Sequence, residues 1–382
     1  MATNSEKFHK EKSANSKLKT AIVVEYYKRW VEIMFHAASR ASVEPHFAYI
    51  DLFAGKGKYS DGSYSTALEV IDYVMKHRRQ YRAVETIFND IHKKSIQSLS
   101  KCVDDVCQHI SFKYPPKFSI EDVNDGFVEK IMMRRNVPSL LFIDPWGYKG
   151  LSLNVIKLGI QNFGCDGLFF FNYNGINRSF QSNKKLLMHM RSLFGDGADE
   201  LISEVKGLAS IEREERIIKY FESEVKKINN AYVTGFRFIM PGRSRTSHYL
   251  FHVTTNSKGF EIFKEVIEKL NPDEDGFPLY IFDPNKISDN KKESYSLDLS
   301  KYISGNKENL AQNLLDNFKG KSVTFEDICK HHVGRSLFTI KNHRKSLLYL
   351  ETEEKVKVDD FKPDGQKRKN GTFPDGVKIS FL

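Results

Sequence analysis

The chain has 382 residues, 40% of them hydrophobic and 13% aromatic, enough for two or three domains of roughly 100–200 residues with apolar cores. It has no run of about 18 apolar residues, which excludes a helical membrane span. A net charge of +10 and a pI near 9.1 suit a polyanionic partner such as nucleic acid, although a basic protein with no such partner carries the same charge.

Residues 1–19, MATNSEKFHKEKSANSKLK, read as a flexible basic arm, with none of the apolar centre of a secretory signal. From Thr20 the apolar residues Ile22, Val23, Tyr26, Tyr27, Trp30, Ile33 and Met34 recur at three- and four-residue spacing, which predicts a helix with one apolar face. Pro45 punctuates its end, and FAYIDLF follows as a buried strand that runs into a tight corner at Gly55 and Gly57. A helix over about 66–76, the strand VETIFND ending at Asp90, and the helix KKSIQSLSKCVDDVCQHI come next. FSIEDVND is a third strand with an acidic end, NDGFVEKIMMRR a helix, SLLFIDPWGY a fourth strand and GLFFFNYN a fifth. Strands that are apolar throughout and alternate with helices mark a parallel sheet covered on both faces. The expected core is therefore an α/β, doubly wound, Rossmann-like sheet over residues 20–284, with a charged helical insertion at 178–230. FRFIMPGRSRTSHYLFHVTTN and SKGFEIFKEVIEKL complete the same sheet as strands and a helix.

Residues 285–301 are polar and read as a linker. Beyond it, 302–382 read as three short helices and a β-hairpin, the plan of a winged helix. From residue 291 onward 18 Lys+Arg stand against 13 Asp+Glu, so +5 of the +10 sits in this last quarter. The four cysteines (Cys102, Cys107, Cys165 and Cys329) form no CxxC pair and no zinc-like cluster with histidines. Free thiols in a reducing cytoplasm, and no metal site, are expected.

The corner after the first strand reads D-x-F-A-G-x-G, through Asp51, Phe53, Ala54, Gly55 and Gly57. Two glycines let the backbone approach a ligand, but the third glycine of a dinucleotide phosphate cradle is missing. An acid leading into such a corner suits a cationic ligand without phosphates, and S-adenosylmethionine has that chemistry. Asp90 would then hold the ribose hydroxyls, and Glu121 or Asp122 the adenine amino group. A plain turn, or acids that cap the following helices, is the bland alternative for the same residues. In IDPWGYKG, the Asp144 carboxylate and the carbonyl preceding Pro145 form two adjacent acceptors able to grip an exocyclic NH2, with Trp146 or Tyr148 stacking on the ring. No cysteine follows Pro145, which disfavours attack on a cytosine carbon. A proline-marked turn with a buried aromatic is the bland alternative. Lys341, His343, Arg344 and Lys345 on the last predicted helix, and Arg243 and Arg245 in PGRSRTS, are candidate nucleic-acid contacts or merely solvated charges.

YYKRWVEI, YIDLFAGKGKY, FIDPWGYKG and RTSHYLFHVTTNSKGFEIFKEVI together resemble the three-Cys-motif partner protein family (TcmP), over most of the chain. Leu52 stands where the family turn has glycine, Lys56 where it has proline, and Trp146 where it has phenylalanine. The resemblance implies a class I S-adenosylmethionine-dependent methyltransferase fold and a radical-SAM-like partner bearing three cysteines, and it leaves the substrate undefined. The expected function is a cytoplasmic methyltransferase acting on an exocyclic amine of a DNA or RNA base. A methyltransferase for a small molecule or protein side chain is one alternative. The other is a non-catalytic module that keeps the fold and binds nucleic acid or a protein partner.

Overall fold

The computed structural model describes residues 12–133, 137–145, 147, 150–179, 184–286 and 307–382. These fall into two units: the described residues of Met1–Phe260 with Phe282–Lys292, and those of Glu261–Ile281 with Glu293–Leu382.

The first unit is built on a sheet whose strands in chain order are β1 (Phe47–Asp51), β2 (Val84–Asn89), β3 (Lys117–Ser119), β4 (Ser139–Ile143), β5 (Asp166–Phe171), β6 (Tyr232–Ile239), β7 (Thr246–Thr254) and β8 (Ile281–Phe282). Their spatial order is β3-β2-β1-β4-β5-β7-β6-β8. Strands β1 to β5 pair in parallel, whereas β7 runs antiparallel between β5 and β6. β1, β2, β4 and β5 are buried at every position, so their continuous apolar runs reflect cover on both faces rather than a half-exposed sheet. This mixed, mostly parallel sheet fits the expected Rossmann-like fold. Strand order reverses between β1 and β4, where such sheets open a crevice beyond their carboxyl ends.

The first helix runs Ala14–Arg40, because the Ser13 side chain accepts the Ser16 N–H and caps it. Residues 14–19 are thus helix, not the flexible arm expected from their composition. Tyr26 donates to the buried Asp166 (2.6 Å) and Trp30 Nε1 to the Gly164 carbonyl (3.1 Å), which ties this helix to the start of β5. The expected helical insertion is present as Tyr173–Ser179, Lys184–Phe194, Ala198–Val205 and Ser210–Lys227. It is locked to β6 and β7 through Glu214, whose carboxylate accepts from Thr246, Tyr249 (2.6 Å) and Arg237 (2.9 Å). Both Glu214 and Arg237 are buried. Glu214→Gln leaves that guanidinium without its counter-charge, and a loss of about 3 kcal/mol is expected in a denaturant titration.

The second unit holds the helices Lys307–Phe318, Phe325–His331 and Ile340–Thr352. It also has a three-stranded antiparallel sheet of β9 (Ser322–Thr324), β10 (Val356–Val358) and β11 (Lys378–Phe381) in the order β10-β11-β9. Leu310, Leu314, Ile328, Leu347, Leu350 and Ile379 form its core. Strand β9 was not expected from the sequence: at three residues it is too short to show alternation. The chain enters this unit at Glu261, well before the expected boundary. Lys264 explains why, since its buried ammonium donates to the carbonyls of Val333 (2.8 Å) and Phe338 (2.9 Å). Asn285, expected in the linker, instead binds the β6–β7 turn through Gly242 N–H (2.6 Å) and the Arg243 carbonyl (3.0 Å). The rest of the expected linker, 287–301, lies outside the described residues. Among the described residues no helix is long and apolar enough to cross a membrane.

Candidate active site

The register of the parallel strands brings the expected residues together. Asp51 stands opposite Phe88 of β2 and Phe142 of β4, so the segments after β1, β2 and β4 leave the sheet side by side. Asp51 is 1% exposed, and its Oδ1 accepts the Phe53 N–H (3.1 Å). Burial pushes its carboxyl up to about 8; the neighbouring Asp144 and Asp90 charges add to this, and Lys19 opposes it. The Asp90 and Asp144 charges therefore both act on Asp51, from the segments after the two strands that flank β1.

The glycine corner has positive φ at Gly55 (67°) and Gly57 (86°), which accounts for the residue type at both positions. A Cβ at Gly57 would come within 3.0 Å of Leu99, whereas one at Gly55 would meet nothing within 4 Å. The space before Gly55 is open, and its N–H is held by Asp90 Oδ2 (3.1 Å). Ala54 N–H reaches the Asn89 carbonyl (2.9 Å). Asp90 is buried and also accepts the His92 N–H (2.8 Å), so it shapes the corner and closes the turn that leads into the Lys93–Cys107 helix. Asn89 was missed in the sequence. Its side chain donates to the Leu52 (3.2 Å) and Glu121 (3.0 Å) carbonyls and accepts from Ser119 (2.8 Å) and Glu121 N–H (3.0 Å). It binds the ends of β1, β2 and β3 into one rim. Glu121 and Asp122 follow β3 with exposed side chains.

Across the reversal of strand order, Asp144 and Pro145 follow β4. Gly150, further along that loop, lies so close that a Cβ would come 2.7 Å from the Phe53 ring and 3.3 Å from Val123. The loops after β1, β3 and β4 thus meet. Trp146 and Tyr148, the expected stacking residues, lie outside the described residues. Three groups absent from the sequence reading complete this side. Lys19 donates to Asp144 Oδ2 and lies 4.6 Å from the Phe170 ring centroid. His248 stacks on the Phe170 ring itself, with centroids 4.6 Å apart, and burial lowers its pKa to about 4. Half-buried Tyr59 is raised by burial and feels both Lys19 and Asp144.

The expected nucleic-acid contacts divide. Arg243 and Arg245 are exposed in the β6–β7 turn. Lys341 and Arg344 are exposed on the Ile340–Thr352 helix, with Arg344 against the Phe325 ring (4.4 Å). Lys345 is half-buried and donates to the Asp275 carbonyl (2.6 Å). His343 must be withdrawn from this group: it is fully buried, bonded to His332 (2.8 Å) and to the Thr339 carbonyl (2.8 Å), and burial lowers its pKa to about 3. It cannot reach a phosphate. A cavity of about 390 Å3 in the same unit is lined by Lys321, His331, His332 and Arg335, with Asp327 beside them.

No protein-family model matches the chain, and no curated protein does, so the resemblance to the three-Cys-motif partner family has no family match behind it. Among solved structures, the chain is similar to a protein from Legionella pneumophila str. Philadelphia 1, at 13% identity over 65% of this chain and 88% of that one, with a TM-score of 0.36. It is similar to Trm1 from Pyrococcus horikoshii, crystallised with S-adenosyl-L-methionine, at 10% identity over 97% and 91% with a TM-score of 0.34. Magnesium protoporphyrin IX methyltransferase from Synechocystis PCC 6803, crystallised with S-adenosylhomocysteine, matches at 10% identity over 60% and 83% with a TM-score of 0.28. At these values the likenesses assign no role to any residue of this chain.

Proposed function

We propose that the protein is an S-adenosylmethionine-dependent methyltransferase whose acceptor is an exocyclic amine of a nucleic acid base. The observation that supports this most is that Asp51, Asp90 and Asp144 stand at the carboxyl ends of three adjacent parallel strands, beside an open glycine corner and at the reversal of strand order. A buried carboxylate at Asp51 suits a cationic ligand, and the lack of a third glycine speaks against a pyrophosphate. Bound there, S-adenosylmethionine would supply an electrophilic methyl group on a sulfonium sulfur. Asp144 and the carbonyl preceding Pro145 accept the amine's N–H groups and orient its lone pair. The proton left on nitrogen after attack passes to Asp144 or to water. Gly55 and the Asn89-bound rim hold the nucleoside side, with Glu121 and Asp122 at its outer end.

The second unit carries the polymer. We read its three helices and antiparallel sheet as a winged helix, in which Lys341, Arg344 and the basic cavity at Lys321 and Arg335 present positive charge to phosphates. The target base is unstacked to reach the crevice. A cytoplasmic setting, membership of the three-Cys-motif partner family and a radical-SAM-like partner with three cysteines belong to this proposal as well.

Titration of the full chain with S-adenosylhomocysteine is expected to show one site. Incubation with radiolabelled S-adenosylmethionine is expected to place label in a total RNA or total DNA preparation. Absence of S-adenosylhomocysteine binding overturns the reading. Binding without label in any acceptor supports a non-catalytic module instead, a reading favoured by one observation: a lysine ammonium already sits on Asp144. Label only in protein or a small amine moves the substrate class.

A further inference from the structure

The first two turns of the Ala14–Arg40 helix are fastened along the carboxyl edge of the sheet. Buried Lys12 donates to the Tyr64 carbonyl (2.7 Å) and to Glu69 (2.9 Å), and Thr20 shares a hydrogen bond with Thr66 (3.1 Å). Asn15 donates to the Ile239 carbonyl (2.9 Å) at the end of β6. These anchors lie on the segment after β1 and on the end of β6, on either side of β4 in the sheet. Lys19, which lies between them in the chain, is thereby delivered to one place. Its side chain is 12% exposed and that of Asp144 23%, so their ion pair is sheltered from the solvent that weakens surface pairs. The Phe170 face under the ammonium supplies a second fixed contact.

An ammonium here takes only one of the two carboxylate oxygens, Oδ2. A carboxylate gripped by one oxygen loses the freedom to rotate, and its other oxygen keeps a defined direction. We propose that Lys19 is a positioning residue for methyl transfer, which holds the Asp144 carboxylate by Oδ2 and leaves Oδ1 to the acceptor's N–H. This rests on the methyl-transfer reading above. It gives the N-terminal helix a part in the site that its lysine-rich composition conceals. Lysine suits the task as a compact charge on a flexible stem, and arginine keeps the charge with a different donor geometry.

Lys19→Met keeps length and the apolar contact with Phe170 but removes the charge, and Lys19→Arg retains the charge. Both are expected to bind S-adenosylhomocysteine with affinities within about threefold of the wild type, because the glycine corner is untouched. K19M is expected to lower kcat about thirtyfold with the KM for S-adenosylmethionine unchanged, the size of loss set by a misaligned group. K19R is expected to recover most of it. Unchanged kcat in K19M, or a loss that arginine does not relieve, overturns the proposal. A crystal structure of K19M gives a readout independent of turnover. Asp144 turned from its wild-type rotamer supports the role, and Asp144 unmoved overturns it. A wild-type chain that transfers no methyl group sinks the methyl-transfer reading, while the crystallographic result still decides whether Lys19 positions Asp144.

Discussion

Asp51→Asn is expected to weaken S-adenosylmethionine binding roughly a hundredfold, the loss of a charge-assisted contact in a dry site, while making the unliganded protein more stable above neutral pH. Both effects follow from the same burial. Asp51 is 1% exposed and its carboxyl is raised from 3.8 to about 8, first by burial and then by Asp144 and Asp90. The folded chain therefore holds a proton that the unfolded chain releases above pH 4. A raised carboxyl favours the fold at low pH, and that contribution is lost progressively as pH climbs from 3.8 towards 8. Asparagine has no charge to bury, so the melting temperature of the variant should exceed that of the wild type at pH 8.5 and converge with it at pH 4. Binding runs the other way. A cationic ligand needs Asp51 ionised, so the wild type must release a proton on binding, and its affinity should rise by up to about tenfold per pH unit between pH 6 and 8. Calorimetry in two buffers of different ionisation enthalpy measures that proton directly. A wild-type affinity that is flat over this range would show that the carboxylate faces no cation.

The sequence displayed the glycine corner and its neighbouring acids because their signals are local. Apolar runs that end in Asp51, Asp90 or Asp144 identify parallel strands and their carboxyl ends without reference to anything distant, and positive φ at Gly55 and Gly57 follows from residue type. The surroundings of Asp144 are assembled from far-apart segments. Phe170 lies near the end of β5 and His248 near the start of an antiparallel β7, and only the placing of β7 beside β5 makes them neighbours. Lys19 was hidden for a different reason. Lysine-rich composition outweighed a capping serine, Ser13, that was readable before the first helical residue. His343 was also open to a better reading. Leu347 and Leu350 set the buried stripe of the last helix, and position 343 lies one turn before 347 on that stripe, so helical periodicity puts its imidazole in the core.

Asp144→Ala is expected to lower kcat at least a hundredfold while S-adenosylhomocysteine binding stays within about threefold, since the proposed function gives the residue to the acceptor rather than to the cofactor. Three consequences of the substitution act together. The acceptor amine loses the group that directs its lone pair, so productive alignment becomes rare. The proton shed after attack loses its nearest base among the groups that adjoin Lys19. The Lys19 ammonium loses its counter-ion and remains as an unneutralised positive charge beside a site meant for a sulfonium, which disfavours the cation there. Asp144→Asn separates these terms. Its amide oxygen still accepts one N–H, so alignment survives in part, while the negative charge is gone; a loss of about tenfold is expected, the size of a single weakened hydrogen bond in the transition state. Steady-state rates at saturating S-adenosylmethionine, with the label counted in the acceptor identified for the wild type, give the ordering wild type, then Asn, then Ala. Wild-type turnover in the alanine variant would remove Asp144 from the chemistry and leave the crevice as a binding site alone.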